Sequence, residues 1–197
     1  MTAFYLSHPQ VAIDPAVPVP RWGLNPLGLE RAARFAASPF ARQLRRVVAS
    51  EETKAVETAS ILADAAGLPV EVRPALHEND RSATGYLPPP EFEETADLFF
   101  ARPHESIRGW ERASNAQARI VGAVAAILAE DPAAVTLFAG HGGVGTLLLR
   151  HLAGQQPIAR MRDQPPGGGN LFAFEGVPGR VLHPWRALED VAGHAAA

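Results

Sequence analysis

Two apolar runs in this chain each end at a histidine. Ala3-Phe4-Tyr5-Leu6-Ser7 hands over to His8-Pro9, and Val135-Thr136-Leu137-Phe138-Ala139-Gly140 hands over to His141-Gly142-Gly143. Uncharged runs of this length, rich in β-branched and aromatic residues, read as buried strands. In an open α/β sheet, ligands gather just beyond the carboxyl ends of the strands. If the two strands are neighbours, two imidazoles share one crevice.

The remaining chain alternates strand and helix signals around these two. Pro9, Pro15, Pro18 and Pro20 punctuate an extended loop, because proline lacks the N–H a ladder needs and holds its predecessor extended. Asn25-Pro26 reads as an N-cap and first helical residue, with Leu29, Ala32, Ala33 and Ala36 at helical spacing to about Ser38. Residues 45–50 predict a second strand, and Val56, Ala59, Leu62, Ala63 and Ala66 one face of a helix closed by Gly67. Residues 69–73 alternate as a third strand. The segment from Leu76 to Leu87 is too dense in ionisable and turn residues for a core element, and loops of this kind often carry function.

Helices are predicted over 91–101, over Ser106–Glu130 and over about Gly143–Leu152, followed by strands near 171–174 and 180–182. The Ala-rich tail after Gly193 is expected to fray. The pattern predicts an α/β three-layer sandwich with a mostly parallel central sheet flanked by helices, in a single domain over residues 1–197.

Composition excludes several functions. A net charge of −3 offers no basic field for nucleic acid. Zero cysteines remove disulfides, thiolate metal sites and thiol nucleophiles. No stretch reaches the roughly twenty apolar residues that span a bilayer, and no secretory signal is visible, so a cytoplasmic location with no membrane partner is expected. Oligomeric state is not legible.

Three strand ends carry the chemistry: Ser7-His8, Ser50-Glu51 and Gly140-His141. Helices that start there present free N–H groups and partial positive charge, which suits phosphate. Lys54 falls in the first turn after the second strand, and Gly142-Gly143 permits close backbone approach to a ligand. Imidazoles, a cation, helix ends and glycines make an anion site. Each also has a plainer reading: structural histidines, a solvated lysine, a tight turn.

The ordered set of motifs resembles the histidine phosphatase superfamily, the phosphoglycerate-mutase-like fold. That family opens with a strand into Arg-His-Gly, where this chain has Ser7-His8-Pro9. A second block, Ser-x-x-x-Arg-Ala-x-x-Thr-Ala, is met by residues 50–59 with Lys54 in the arginine position. Leu76-His77-Glu78 matches a Leu-x-Glu, Glu105-Ser106 part of a Gly-Glu-Ser, and residues 139–144 the final strand-Ser-His-Gly-Gly-Val block. The resemblance implies a metal-independent phosphomonoesterase, without cofactor, acting on a small phosphorylated substrate. It implies His8 as nucleophile forming phosphohistidine, Glu78 as acid and base, and His141 and Lys54 as ligands of the phosphoryl oxygens. Ser7, Gly142 and Arg81 complete the expected phosphate-binding set, and residues 79–105 are expected to form a lid insertion.

The departures define the competing function. Ser7 and Lys54 replace two arginines, and lysine lacks the planar fork that grips phosphate bidentately. Arg21, Arg73 or Arg81 are the candidates to compensate. Without compensation, the alternative is a catalytically weak or inactive module binding a phospho-ligand or protein. A metal hydrolase built on His77, Glu78 and Asp80 lacks any familiar ligand spacing.

Overall fold

The computed structural model describes residues 2–155, 160 and 164–192. A six-stranded sheet runs in the order β3-β2-β4-β1-β5-β6. It comprises β1 (Thr2–Ser7), β2 (Arg46–Ala49), β3 (Val70–Val72), β4 (Thr136–Gly140), β5 (Asn170–Glu175) and β6 (Arg180–Ala187). The first four are mutually parallel, and β5 and β6 close one edge antiparallel. The predicted α/β architecture with a mostly parallel, helix-flanked sheet is what forms.

The period-2 alternation of strand side chains builds one core on each face. Tyr5, Val48, Phe138, Phe172 and Phe174 point to one side, under α3 (Pro89–Ala101), α4 (Ala113–Glu130) and α5 (Gly142–Leu152). Phe4, Leu6, Val47, Leu137 and Leu171 point to the other, under α1 (Pro26–Ala36), α2 (Thr53–Ala66) and α6 (Leu188–Ala192). Each fully buried Leu or Phe contributes about 1.5–3 kcal/mol relative to exposure. Phe99 and Phe100 are buried there beside Trp110.

Helix ends follow local chemistry. Asn25 Oδ1 accepts the Gly28 N–H at 2.8 Å and Pro26 opens α1. Gly67 takes the left-handed conformation that ends α2. One expectation is corrected: the helix predicted from Ser106 begins only at Ala113. Arg108 and Gly109 adopt φ of 51° and 83°, and Ser106 Oγ donates to the Trp110 carbonyl at 2.7 Å. This turn seats Trp110 in the core and breaks the helical path. β6 runs further than predicted, and the short α6 had no periodic signal. The Ala-rich tail lies outside the described residues.

The topology positions a crevice. β1 and β4 are parallel neighbours, with Ser7 opposite Gly140. The chain leaves β1 toward α1 on one face and leaves β4 into α5 on the other. Such a divergence opens a gap at the carboxyl ends. Among the described residues, no helix is long and apolar enough to cross a membrane.

Candidate active site

His8 and His141 emerge side by side from β1 and β4, and the His8 N–H continues the ladder onto the Gly140 carbonyl at 2.9 Å. Their rings lie 5.4 Å apart, inclined at 70°. His8 Nδ1 is 2.8 Å from the Pro9 carbonyl. A carbonyl only accepts, so Nδ1 carries the proton and Nε2 keeps its lone pair. Burial, reinforced by His141 and Lys54, lowers the His8 pKa to about 3. The ring is therefore neutral and nucleophilic at ordinary pH.

His141 is fully buried. Burial lowers its pKa, against the opposing charges of Glu52 and Glu78. Its Nε2 pairs with Ser50 Oγ at 2.7 Å, and its backbone N–H donates to the Tyr5 hydroxyl at 3.1 Å. That second contact requires glycine at position 140, where a Cβ would come within 2.3 Å of the same hydroxyl. Burial holds the Tyr5 phenol well above its ordinary pKa, so it stays protonated.

Glu78 enters from the loop after β3. Its carboxylate accepts the N–H groups of Gly143 at 3.0 Å and Val144 at 2.8 Å, in the first turn of α5. A side chain at position 143 would put its Cβ 2.7 Å from Glu78 Oε1, so glycine is what admits the carboxylate. Arg119 of α4 fixes this loop: its guanidinium donates to the carbonyls of Ala75, His77 and Glu78 at 3.0, 2.9 and 3.3 Å while paired with Glu111.

Lys54 lies beneath the crevice rather than solvated on its helix. It is 2% exposed and bonds the Val19 carbonyl at 2.9 Å and the Glu52 carboxylate. Glu52 also accepts the Glu78 N–H at 2.9 Å and stands 3.4 Å from His141 Nε2. Burial by itself would raise the Glu52 pKa, but the charges of His141 and Lys54 and the Lys54 hydrogen bond prevail and hold it at about 2.

Of the expected set, His8, His141, Lys54, Glu78 and Gly142 come together at the ends of β1, β4 and the first turns of α2 and α5. Ser7 is not available in the same way. It is 2% exposed, and its hydroxyl exchanges hydrogen bonds with the Asn170 backbone. Of the three candidate arginines, Arg73 is drawn off to Glu71 and Glu130, and Arg21 is exposed on the 15–21 loop. Arg81 stacks over Phe92, 5.1 Å from the ring centroid, close enough to lower the His141 pKa.

Two cavities flank this cluster. One of about 830 Å³ opens between the 15–21 loop and residues 77–86. The other, about 640 Å³, lies between Phe92, Phe99, Trp110 and the start of α5. Glu78, Asn79 and Arg81 border both. Among the described residues, no group of three or more metal-type side chains converges, so His77, Glu78 and Asp80 do not assemble the metal site considered from the sequence.

Sequence reasoning missed Glu52, Arg119 and Asn170. An acidic residue at the mouth of α2 reads as an ordinary complement to the helix dipole. Arg119 reads as one polar position on a long helix.

Comparison with known proteins fits this geometry. The family model for the histidine phosphatase superfamily, branch 1, matches residues 18–178. The chain belongs to that superfamily. The match begins after β1 and His8, the part where Ser-His-Pro departs from the family pattern. No curated protein matches the sequence. Among solved structures, the mycobacterial glucosyl-3-phosphoglycerate phosphatase with inorganic phosphate is 21% identical, with a TM-score of 0.78 over 95% of this chain and 98% of that one. YhfR of Bacillus stearothermophilus has the same identity, 21%, and the same TM-score, 0.78, over 94% and 96%. A phosphoserine phosphatase from Entamoeba histolytica, in complex with 3-phosphoglyceric acid, reaches 0.75 at 12% identity over 94% and 96%. At these identities the likeness is one of fold.

Proposed function

We propose that the protein is a metal-independent phosphomonoesterase for small phosphorylated substrates, working through a phosphohistidine on His8. The observation that carries this reading is the His8 ring itself: neutral, with Nδ1–H anchored on Pro9 and Nε2 free, beside a second buried imidazole. In the first step Nε2 attacks phosphorus and the bond to the ester oxygen breaks. Protonated Glu78 gives its proton to the departing alcohol. In the second step water attacks the phosphohistidine, the carboxylate takes a proton from that water, and the P–N bond returns its electrons to His8. Splitting one displacement into two lowers each barrier.

The transferred phosphoryl group needs charge and donors on its equatorial oxygens. His141, Lys54, the Gly142 N–H at the entrance to α5 and Arg81 supply them in this reading, with residues 79–105 as lid. Its support is that Arg81 and Asn79 border both cavities. Similar folds act on glucosyl-3-phosphoglycerate and phosphoserine, which favours a phosphorylated metabolite over a macromolecule.

A second reading, a phospho-ligand-binding module with weak or no turnover, is favoured by the Lys54–Glu52 ion pair and by Ser7 in place of an arginine. One experiment separates the two. Labelled aryl phosphate, quenched at alkaline pH, should leave acid-labile label on His8, and His8→Ala should abolish both label and turnover. Absence of label and turnover across a panel of phosphorylated metabolites would leave the binding module as the account.

A further inference from the structure

A negative charge is built into the middle of this anion site. Glu52 is 6% exposed, a carboxylate with every near partner belonging to the catalytic cluster. Oε1 accepts the Glu78 N–H at 2.9 Å and faces His141 Nε2 at 3.4 Å. Oε2 takes the Lys54 ammonium, whose other contact is the Val19 carbonyl at 2.9 Å. The cation placed to hold phosphoryl oxygens is thus already neutralised from within.

Burial lowers the pKa of both imidazoles below the ordinary value. With Glu52 at about 2, its carboxylate is a fixed charge rather than a proton donor. A phosphate group entering here meets a Lys54 ammonium already matched by the Glu52 carboxylate.

We infer that Glu52 sets the anion affinity of the crevice by holding Lys54 in an internal ion pair that a bound phosphoryl group must share or displace. The inference rests on reading the crevice as a phosphoryl site. Its consequence is weak retention of inorganic phosphate, so that product leaves readily and inhibits little. Glu52 acts through Lys54 and is a positioning residue, with the anion selectivity of the pocket as its output.

The test is calorimetric titration of inorganic phosphate into wild type, Glu52→Gln, Glu52→Leu, Lys54→Met and the Glu52→Gln/Lys54→Met pair. Glutamine keeps the shape and the Glu78 contact, and leucine gives a second removal of charge. Each Glu52 variant should bind phosphate about tenfold or more tightly than wild type, as expected for deleting a like charge within a few ångströms. The added Lys54→Met should cancel the gain. Loss of packing cannot tighten a ligand, so a merely structural Glu52 predicts the opposite sign. Unchanged or weaker phosphate binding in both Glu52 variants, with native circular dichroism, overturns the inference. Turnover in wild type without that gain removes this inference alone. A gain in phosphate affinity without turnover or phosphohistidine in wild type removes the phosphatase reading and leaves this one standing.

Discussion

Ser7 Oγ accepts the Asn170 N–H at 3.1 Å and donates to the Asn170 carbonyl at 3.3 Å. The side chain where the family carries an arginine therefore works as an extra rung between β1 and β5. Ser7 holds the wall of the site together; the phosphate contact expected of it would require breaking this pair.

Restoring the family arginine should consequently fail. Ser7→Arg is expected to destabilise the fold by about 1–3 kcal/mol from overpacking, and to lower turnover rather than raise it. Ser7→Ala leaves the Asn170 N–H without its partner and should cost about 1–3 kcal/mol. Chemical denaturation of both variants, with turnover measured alongside, checks this. An active, fully stable Ser7→Arg would mean that the crevice accepts an arginine after all.

Acid should weaken the protein in two steps of distinguishable origin. His8 has an unfolded value near 6.5 and a folded value of about 3. As pH falls below 6.5 the unfolded chain takes up a proton that the folded chain refuses, so stability drops until about pH 3. Glu52 acts from the other side: its stabilisation is intact above 4.5 and is lost as pH falls toward 2. Melting temperature against pH should begin to fall near 6.5, where only the histidines contribute. His8→Asn should make that upper limb shallower, leaving the share of His141, and leave the one below 4.5 in place.

Arg119 is expected to matter for catalysis although it borders neither cavity. Its guanidinium spans three carbonyls of the 75–78 loop and the Glu111 carboxylate, and so fixes where Glu78 meets α5. Arg119→Met should lower kcat about ten- to a hundredfold, the equivalent of one or two lost charge-assisted hydrogen bonds. KM should move less. Arg119→Lys should not rescue, because an ammonium cannot span the same fan of acceptors. Equal loss in kcat with Glu78→Gln already present would show that Arg119 acts elsewhere.

The parts of this site that were legible in the sequence are those fixed by local chemistry. An apolar strand ending at histidine, twice, encodes both the sheet neighbours and the shared crevice. Glycines 142 and 143 encode the close approach at α5, although the group that approaches Gly143 is Glu78 of the same chain. The illegible parts are relations between distant positions. Nothing in Ser50-Glu51-Glu52-Thr53-Lys54 says that Lys54 turns inward onto Glu52 and Val19 instead of outward to solvent. The 106–112 turn was hidden for a related reason: its polar residues fit a helix surface, and only the burial of Trp110 forces the left-handed step at Arg108.

Of the three candidate arginines, Arg81 is the one that borders both cavities. Lys54 is engaged with Glu52, and Ser7 is tied to Asn170. Arg73 is drawn off to Glu71 and Glu130. Arg81 borders both cavities, and its planar guanidinium lies over Phe92, 5.1 Å from the ring centroid. The Phe92 ring holds the guanidinium at the border of the cavities, where its N–H donors can meet phosphoryl oxygens. Arg81→Ala should therefore reduce kcat/KM by about ten- to a hundredfold, matching the 1.5–3 kcal/mol of one charge-assisted contact. The melting temperature should fall only slightly, since a half-buried cation–π contact contributes about 0.5–2 kcal/mol. Arg81→Lys should recover little, because a point charge neither stacks as a plane nor offers two parallel donors. If Arg81→Ala retains full kcat/KM, the phosphoryl charge must be met by Arg21, which borders one of the cavities, or by Lys54 leaving Glu52, and loss of turnover in Arg21→Ala or in Lys54→Met tells which.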